Sequence, residues 1–523
     1  MSHSFSSKRF SADRIAIFLS LLGVIFSAIV ADRVYEHLAH LEDEITFVWQ
    51  AQALTRNHLT LPSPSEPKSF LVPFVVDYNG QRFGKYPPGW PLVLSLGMRL
   101  GLRWLVNPLL GGLAVWLTYL LGKRVFGEKV GLIAAGLTVF SPFFLVNSGS
   151  LLSHPLGLAL SAGFSLAWLQ AFGNPSSSRP WLPTTVAAIC LASLVLTRPF
   201  TAVAVAFPFA LHGLYLMIRG NWQTRGRLLA FGGIVLLLGS LYFVWQYAVT
   251  GDPLLNPYTL WWPYDRIGFG PGHGHKVSGH TLDQAWINTK ASLTAGWFDL
   301  FGWPKISWIF LPFGLLAALR SHARRVEALL LSSVFFSLVV FYLSYWIGSS
   351  LYGPRYFYEG LYSLTLLSAA GIALLAGWSI TTQRNEPQSL PDQPSHRRDW
   401  NRLRPLAVTT LVALMVGFNL VFYLPQRMQM MHGLYGISRE RLKPFLSRSA
   451  QQYTPALVIV HILGKWTEYG ALLELENPFL DSPFIFAMSR GPETNRLLEL
   501  QFPDRAVYHY YADQPYKFYS AAR

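Results

Sequence analysis

Long apolar stretches recur along the chain and dominate its pattern of hydrophobic and polar positions. Eleven of them carry few or no charges and measure 16 to 22 residues, about the length an α-helix needs to cross a bilayer core of about 30 Å. They lie at residues 15–31, 104–122, 130–149, 153–172, 181–197, 199–218, 228–249, 304–319, 326–347, 360–380 and 405–424. This pattern predicts an α-helical polytopic membrane protein with about eleven transmembrane helices.

Basic charge is distributed unevenly among the loops, and this predicts the topology. Lys and Arg cluster near the N-terminus and in alternate loops, whereas the short loops 147–153 and 348–359 contain only Arg355 as a basic residue. Because basic loops stay in the cytoplasm, we expect the N-terminus inside and the loops 32–90 and 250–303 outside.

Two segments extend this topology. Residues 381–404 are rich in Pro, Gln, Ser and Arg, which predicts a cytoplasmic linker. In the tail, the apolar runs 456–460 and 483–488 have the pattern of buried strands, with charged residues around both. We therefore expect a transmembrane domain over 1–424 and a small extracytoplasmic α/β domain over 425–523.

Composition supports a lipid environment and narrows the function. Apolar residues make up 51% of the 523 residues and charged residues only 13%, too few charges to cover a soluble globule of this size. The net charge of +15 is explained by basic loops between spans, so no nucleic acid partner is expected. Cys190, the single cysteine, lies in an apolar segment and offers neither a disulfide nor a Cys metal cluster.

The first predicted outer loop contains two candidate groups. Glu42, Asp43 and Glu44 are consecutive acids just after a membrane helix, where one carboxylate could deprotonate an acceptor hydroxyl or amine. A solvated turn is the structural alternative. Lys85 and Tyr86 precede a Pro-Pro-Gly turn and suit a lipid phosphate, although Tyr and Lys also serve as interfacial anchors.

Three further positions lie at predicted outer helix ends. His154 and Arg198 stand beside prolines at helix boundaries, and Arg355 precedes Tyr356 in a short outer loop. An Arg beside a Tyr at such a place can bind phosphate through two parallel hydrogen bonds. Snorkelling of the Arg side chains and an ordinary interfacial role for His154 are the alternatives.

The loop 250–303 concentrates Gly, Pro, aromatic residues and His. Asp265 and Arg266 follow two tryptophans, and His280 ends a Gly-rich stretch that also contains two other histidines. Glycines let backbone amides approach a ligand, and aromatic faces stack on sugar rings. The Gly-separated histidines form no rigid scaffold for a divalent metal, and no Cys supports them, so we predict no metal ligands here. The structural alternative for the whole loop is an interfacial lid.

The order of these motifs resembles a known superfamily. The acids at 42–44, YPPG at 86–89, HP at 154–155, TRP at 197–199 and GPRY at 353–356 follow one another on the same predicted side of the membrane. This resembles the polytopic C-type glycosyltransferases (GT-C fold), which include protein O-mannosyltransferases and lipid A aminoarabinose transferases. The likeness covers about residues 10–425, and the tail resembles the extracytoplasmic domain of some members.

The resemblance implies a function and roles. The expected enzyme lies in a bacterial inner membrane and moves a monosaccharide, with inversion, from a polyprenyl-phosphate donor to an extracytoplasmic lipid, glycan or protein acceptor. Asp43 is then the base, and Glu44 assists it or binds the acceptor. Arg355, Lys85 and Arg198, in that order, are expected to hold the phosphate, and no tightly bound cofactor is needed.

One departure and two alternatives qualify this expectation. Many relatives carry an acid where this chain has Ser153, His154 and Pro155, so a second acid must come from elsewhere, with Asp265 or Asp252 as candidates. A transporter or flippase of a lipid-linked glycan is the main alternative, but it predicts ionisable residues near helix midpoints, which are almost absent. A scaffold that displays the tail domain is less consistent with so large a membrane part.

Overall fold

Helices form most of the protein in the computed structural model, which describes residues 11–173, 180–379 and 395–523. The helices before the tail are α1 (Ala12–Ile29), α2 (Glu42–Thr55), α3 (Gly89–Arg99), α4 (Val106–Val125), α5 (Glu128–Val139), α6 (Pro142–Ser148), α7 (His154–Phe172), α8 (Trp181–Val195), α9 (Pro199–Arg219), α10 (Trp222–Gly239), α11 (Leu241–Thr250), α12 (Pro257–Trp261), α13 (Leu282–Asp299), α14 (Leu311–Arg320), α15 (Arg325–Tyr342), α16 (Leu361–Ala376), α17 (Ser395–Phe418) and α18 (Leu424–Met431).

Eight helical runs of the described residues are long and apolar enough to cross a membrane, so the chain is a multi-pass membrane protein. They are Ala12–Val34, Arg103–Val125, His154–Phe172, Pro199–Arg219, Trp222–Thr250, Arg325–Tyr342, Arg355–Ala376 and Leu403–Gly436. Helices α5 and α6 pass the same test as a pair bent by 62°, while α8 and α14 are shorter. Each of the eleven predicted stretches thus contains a helix, and the exact number of spans stays a prediction.

The structure corrects three boundaries. The stretch 304–319 is an α-helix only from Leu311, and 130–149 is broken at Ser141, whose side chain caps α6. The last predicted span, 405–424, continues as helix to Met431. In the predicted linker 381–404, residues 381–394 lie outside the described residues.

Close helix packing holds the membrane part together. Helix α1 packs on α4 and α5, α7 packs on α4 and α8, and α14 and α15 pack on α16. At the crossing of α4 and α5, a Cβ atom on Gly131 would lie 2.7 Å from the backbone oxygen of Tyr119. Glycine therefore lets the two backbones approach each other closely.

The first predicted outer loop is a compact structure and not an extended loop. Helix α2 is followed by the strands β1 (Leu61–Pro62), β2 (Val75–Tyr78) and β3 (Gln81–Gly84), which form an antiparallel sheet in the order β1-β3-β2. The chain then turns into α3, which packs on α2. The acids 42–44 therefore open a helix, and the solvated-turn alternative is wrong for Glu44, which is buried.

The tail folds around a parallel sheet that contains both of the predicted strands. The strands β4 (Ala456–His461), β5 (Phe484–Met488) and β6 (Ala506–Tyr511) lie in the order β5-β4-β6. Its helices are α19 (Arg439–Leu446), α20 (Arg448–Gln451), α21 (Thr467–Gly470) and α22 (Pro492–Gln501). Strand β6 was not predicted, because its polar and aromatic sequence lacks the continuous apolar run of the other two.

The tail contacts the first outer segment, residues 32–90, and the residues just before α4 through charged side chains. A terminal nitrogen of Arg56 lies 2.6 Å from Oδ2 of Asp481, and Arg103 forms an ion pair with Glu474. Arg82 donates a hydrogen bond to the carbonyl of Phe70 at 3.2 Å, while Oε1 of the buried Glu476 has no hydrogen-bond partner. Burial raises the pKa of Glu476 to about 8, although the positive charge of Arg82 acts against this rise.

This buried carboxyl group makes the stability of the folded tail depend on pH. The pKa of the Glu476 carboxyl is about 8 in the folded protein and near 4.5 in the unfolded chain, so the folded state binds the proton more tightly. Stability should fall by roughly 1.4 kcal/mol per pH unit as pH rises between those two values, and level off above the higher one. We expect Glu476→Gln to remove this decline, measured as the thermal unfolding midpoint in detergent across that range. Identical pH dependence of the two proteins would contradict the prediction.

Candidate active site

A cavity of about 1150 Å³ lies where the first outer segment, the starts of α7 and α9 and the end of α15 meet. Nine of the eleven residues proposed from the sequence line it: Asp43, Lys85, Tyr86, His154, Arg198, Asp265, Arg266, Arg355 and Tyr356. Glu44 and His280 do not. The structure therefore brings residues more than 300 positions apart in the sequence into one site.

Asp43 lies in the first turn of α2 and is held by two partners. Its Oδ2 lies 3.3 Å from a terminal nitrogen of Arg355, and the hydroxyl of Tyr86 donates a hydrogen bond to its Oδ1. Burial alone would raise the pKa of Asp43, but the Arg355 guanidinium and the Tyr86 hydroxyl together keep it below its ordinary value. The carboxylate is therefore ionised at neutral pH.

Glu44 fixes the start of α2 and points away from the cavity. Its Oε2 accepts hydrogen bonds from the backbone amides of His40 at 2.8 Å and Leu41 at 2.9 Å. Its Oε1 accepts another from the amide of Leu151 at 2.7 Å. Three backbone donors occupy this carboxylate, so its geometry suits a residue that positions Asp43 and not one that contacts an acceptor.

Lys85 is enclosed by an acid and aromatic rings. Its Nζ lies 3.1 Å from Oδ2 of Asp265, and both side chains are almost fully buried. The rings around Nζ, with centroids between 3.9 and 5.4 Å away, belong to Phe74, Tyr258, Trp262 and Tyr86. Burial lowers the pKa of Lys85, and the carboxylate of Asp265 counteracts this effect. The pair thus joins the first outer segment to the loop 250–303.

The Pro-Pro-Gly turn explains how Lys85 and Tyr86 reach the helix break at Arg198. The amide of Gly89 donates a 2.9 Å hydrogen bond to the carbonyl of Leu196. A Cβ atom at position 89 would lie only 2.6 Å from that oxygen, so glycine is required for the contact. The turn is therefore pressed against the segment that separates α8 from α9.

Arg198 lies at the start of α9 and binds Glu359. Its Nε lies 3.0 Å from Oε1 of Glu359, and its terminal nitrogens donate hydrogen bonds to Ser153 at 3.1 Å and Tyr342 at 3.3 Å. Nδ1 of His154 lies 3.1 Å from the same Oε1. Arg198 thus faces the cavity with a fixed orientation.

Arg266 and Asp265 line the cavity, whereas Asp252 does not. Arg266 is exposed at the cavity wall and makes no ion pair within the described residues. Asp265 is one of the two acids suggested as replacements for a missing acid, and it does line the cavity. Asp252 does not, because it is exposed and its Oδ1 accepts a hydrogen bond from the amide of Leu254.

His280 is buried beside the cavity without lining it. Its Nε2 lies 2.8 Å from the carbonyl of Leu343, and its ring stacks on Phe269. In the described part of the chain, no three His, Cys, Asp or Glu residues are arranged to hold a metal ion. The Gly- and His-rich stretch instead packs on Trp346, whose ring lies 5.7 Å from that of His275.

Sequence reasoning missed two residues of the site and gave no role to a third. Glu359 contacts Arg198 and His154 next to the cavity, and Trp466 lines the cavity from the tail. Glu42, named in the acid cluster without a role of its own, also lines the cavity. Glu359 had a signal, since an acid at the start of an otherwise apolar helix needs a partner. Trp466 had none, because the sequence does not show that the segment after β4 lies over the membrane domain.

An apolar groove of about 460 Å³ runs between α9 and α15 beside the cavity. Phe207 and Phe341 line it with ring centroids 5.3 Å apart. Phe200 and Tyr342, 5.1 Å apart, line the cavity at the adjoining end of the same two helices. The polar site and the apolar groove are therefore neighbours along one helix pair.

Comparison with known proteins establishes the fold. Residues 103–247 match the family model described as the N-terminal part of the oligosaccharyl transferase STT3. The crystal structure of ArnT from Cupriavidus metallidurans bound to undecaprenyl phosphate is similar with a TM-score of 0.55 at 14% identity, covering 96% of this chain and 91% of that one. No curated protein sequence matches the chain.

The archaeal oligosaccharyltransferase AglB from Archaeoglobus fulgidus, in complex with an inhibitory peptide and a dolichol-phosphate, is also similar. Its TM-score is 0.50 at 13% identity, and the match covers 89% of this chain and 64% of AglB. At such low identity the likeness concerns the fold alone. The chain therefore has the GT-C fold of the polytopic C-type glycosyltransferases, as its motifs indicated.

The Lys85–Asp265 pair yields a prediction of stability. Asp265→Asn leaves a buried ammonium without a counter-charge, which should cost about 3 kcal/mol. Lys85→Met in the same protein removes the unpaired charge, so the double variant should recover most of the loss. Thermal unfolding midpoints in detergent measure both effects. A fully stable Asp265→Asn variant, or a double variant less stable than that single one, would contradict this description of the pair.

Proposed function

We propose that the protein is a glycosyltransferase that moves a monosaccharide from a polyprenyl-phosphate donor to a hydroxyl or amino group of an extracytoplasmic acceptor. The observation that carries the proposal is the ionised Asp43 in a cavity that also contains several cations and adjoins an apolar groove. A polyprenyl-phosphate sugar has the matching parts: a sugar for the cavity, a phosphate for the cations and an isoprenoid tail for the groove. ArnT bound to undecaprenyl phosphate and AglB bound to a dolichol-phosphate lend support through their shared fold.

The cations divide into paired and unpaired groups. Lys85, Arg198 and Arg355 each have an acidic partner, whereas Arg266 has no ion pair among the described residues. A phosphate entering the site binds Arg266 without breaking an existing pair, and it binds Arg355 by competing with Asp43. Guanidinium groups suit this role because they offer two parallel hydrogen bonds to a phosphate.

This competition provides a way to activate Asp43. While Arg355 pairs with Asp43, its positive charge keeps the pKa of that carboxyl low and the carboxylate is a weak base. When Arg355 turns to the donor phosphate, Asp43 loses part of this stabilisation and its pKa rises. Donor binding therefore prepares the base for the acceptor.

In the transfer step, Asp43 accepts the proton of the acceptor hydroxyl or amine as that group attacks the anomeric carbon. The bond between this carbon and the phosphate oxygen breaks, and polyprenyl phosphate leaves with the electron pair. Attack from the face opposite the phosphate inverts the anomeric configuration. The cations stabilise the leaving charge, so the reaction needs no nucleotide and no tightly bound cofactor.

The proposed acceptor approaches from the side of the tail domain. Trp466 of the tail lines the cavity, so tail and cavity lie on the same side of the membrane. The positive-inside rule supports the proposal that this side is extracytoplasmic and that the enzyme lies in a bacterial inner membrane with its N-terminus in the cytoplasm.

The role of Asp43 is tested by Asp43→Asn. Without a base, transfer should fall by roughly 10²- to 10⁴-fold. Expression and folding should remain intact, because the Arg355 side chain, unlike that of Lys85, is partly exposed and stays solvated without its partner. Release of free polyprenyl phosphate from a panel of polyprenyl-phosphate sugars measures transfer by purified protein in nanodiscs. Asp283→Asn, at an exposed acid of α13 outside the cavity, is the matched control and should retain activity. Turnover of Asp43→Asn at the wild-type rate would refute the assignment.

The groove is tested by a substitution that fills it. Ser333 lines the groove on α15, and Ser333→Trp should obstruct a long isoprenoid tail but affect a short one less. We expect KM to rise by roughly tenfold for an undecaprenyl-phosphate donor, because apolar area buried by the tail is lost, and to change little for a donor with a two-isoprene chain. Leu236→Trp, at a lipid-exposed position of α10, is the control. An equal effect of Ser333→Trp on both donors would contradict the groove assignment.

A further inference from the structure

His154 is a buried cavity residue whose two ring nitrogens have different surroundings. The His154 side chain is 2% exposed and that of Glu359 is fully buried, and Nδ1 lies 3.1 Å from Oε1 of Glu359. Within the described residues, Nε2 makes no hydrogen bond, and it is not among the polar atoms shut off from open space. Since His154 lines the cavity, Nε2 is the atom available to a ligand.

The contacts of Glu359 determine which nitrogen carries the hydrogen. Oε1 accepts a hydrogen bond from Nε of Arg198 at 3.0 Å, and a guanidinium can only donate. The same oxygen therefore also acts as acceptor towards His154, so Nδ1 carries the hydrogen. In the neutral ring, Nε2 is then a hydrogen-bond acceptor that faces the cavity.

The fold makes room for this arrangement. Gly157, one turn after His154 in α7, lies against the carboxylate of Glu359, and a Cβ atom there would be 2.7 Å from Oε1. Glu359 comes from the segment before α16 and was not one of the two acids, Asp265 and Asp252, that the sequence offered as replacements for the missing acid. The Glu359 carboxylate thus reaches the start of α7 from a distant part of the chain. It does not face the cavity itself but orients the His154 ring, which does.

We propose that His154 is a substrate-recognition residue whose Nε2 accepts a hydrogen bond from a hydroxyl or amino group of a bound sugar substrate. Glu359 is the positioning residue that fixes the tautomer and orientation of the ring. A phosphate oxygen without a proton cannot donate to Nε2, so this contact is separate from the phosphate-binding cations. The inference rests on the proposed transferase function and specifies which chemistry the cavity recognises beyond the phosphate.

The test compares His154→Asn with the wild type, both as full chains in nanodiscs. Asn keeps a donor where Nδ1 lies, and so keeps the bond to Glu359, but it removes the acceptor that faces the cavity. We expect kcat/KM for transfer to fall roughly tenfold, because a buried donor of the substrate loses its partner. Affinity for undecaprenyl phosphate alone, which has no sugar, should be unchanged.

The kinetic constants identify the source of the hydroxyl or amino group. A raised KM for the polyprenyl-phosphate sugar assigns the contact to the transferred sugar, and a raised KM for the acceptor assigns it to the acceptor. His154→Asn with wild-type kinetics, or with a tenfold loss of affinity for undecaprenyl phosphate, would overturn the inference. His432→Asn, whose imidazole contacts the carbonyl of Val34 away from the cavity, is the control for the substitution.

Glu359 is tested through its coupling to His154. The amide of Glu359→Gln can donate to Nδ1 and turn Nε2 into a donor, so this variant should lose the same recognition. The double variant should then lose no more kcat/KM than Glu359→Gln alone. Losses that multiply would show that Glu359 does not act through His154. Absence of transfer by the wild type from every donor would overturn the proposed function together with this inference, whereas an unaffected His154→Asn overturns the inference only.

Discussion

A charged side chain next to the apolar interior of a membrane must have a partner of opposite charge, and the site depends on this constraint. Three acid–cation pairs surround the cavity, and each joins segments that are far apart in the chain. They are Asp43 with Arg355, Lys85 with Asp265, and Arg198 with Glu359. The same pairs that hold the cavity together supply its base and its anion-binding groups.

This pairing also explains how a ligand can alter the site. Arg266 has no ion pair among the described residues, so only a phosphate that binds one of the other cations changes an existing pair. The exchange at Arg355 changes the basicity of Asp43, which links donor binding to proton removal. By contrast, the Arg198–Glu359 pair is also bonded to Ser153, Tyr342 and His154, so it is better suited to hold its geometry while the ligand binds.

Hydropathy was sufficient to predict the fold class, because a membrane-spanning helix must be apolar whether it faces lipid or, like α7 and α16, lies mostly inside the bundle. The motifs led to all the charged residues that line the cavity except Glu42, since charges and prolines at helix ends are rare enough to attract notice. Which charges pair with each other could not be predicted. The partner of Lys85 lies 180 residues away and that of Arg198 lies 161 residues away, so the pairing depends on helix packing.

The sequence also could not show which acid of the cluster 42–44 has which role. Glu42, Asp43 and Glu44 have the same chemistry, but their helical positions direct Asp43 to Arg355 and Glu44 to three backbone amides. The contribution of the tail was also beyond the sequence, because Trp466 reaches the cavity only through the docking of the whole domain. Local patterns thus predicted the elements, while tertiary contacts decided their functions.

The most direct test of this account follows an isotopically labelled sugar on polyprenyl phosphate with purified protein in nanodiscs, with a cell-envelope extract as acceptor. The account predicts that free polyprenyl phosphate is released in step with the appearance of labelled sugar on an acceptor. If no donor in a panel of hexoses and pentoses releases polyprenyl phosphate, while the protein moves lipid-linked sugar across liposome bilayers, the protein is a transporter and the account is wrong.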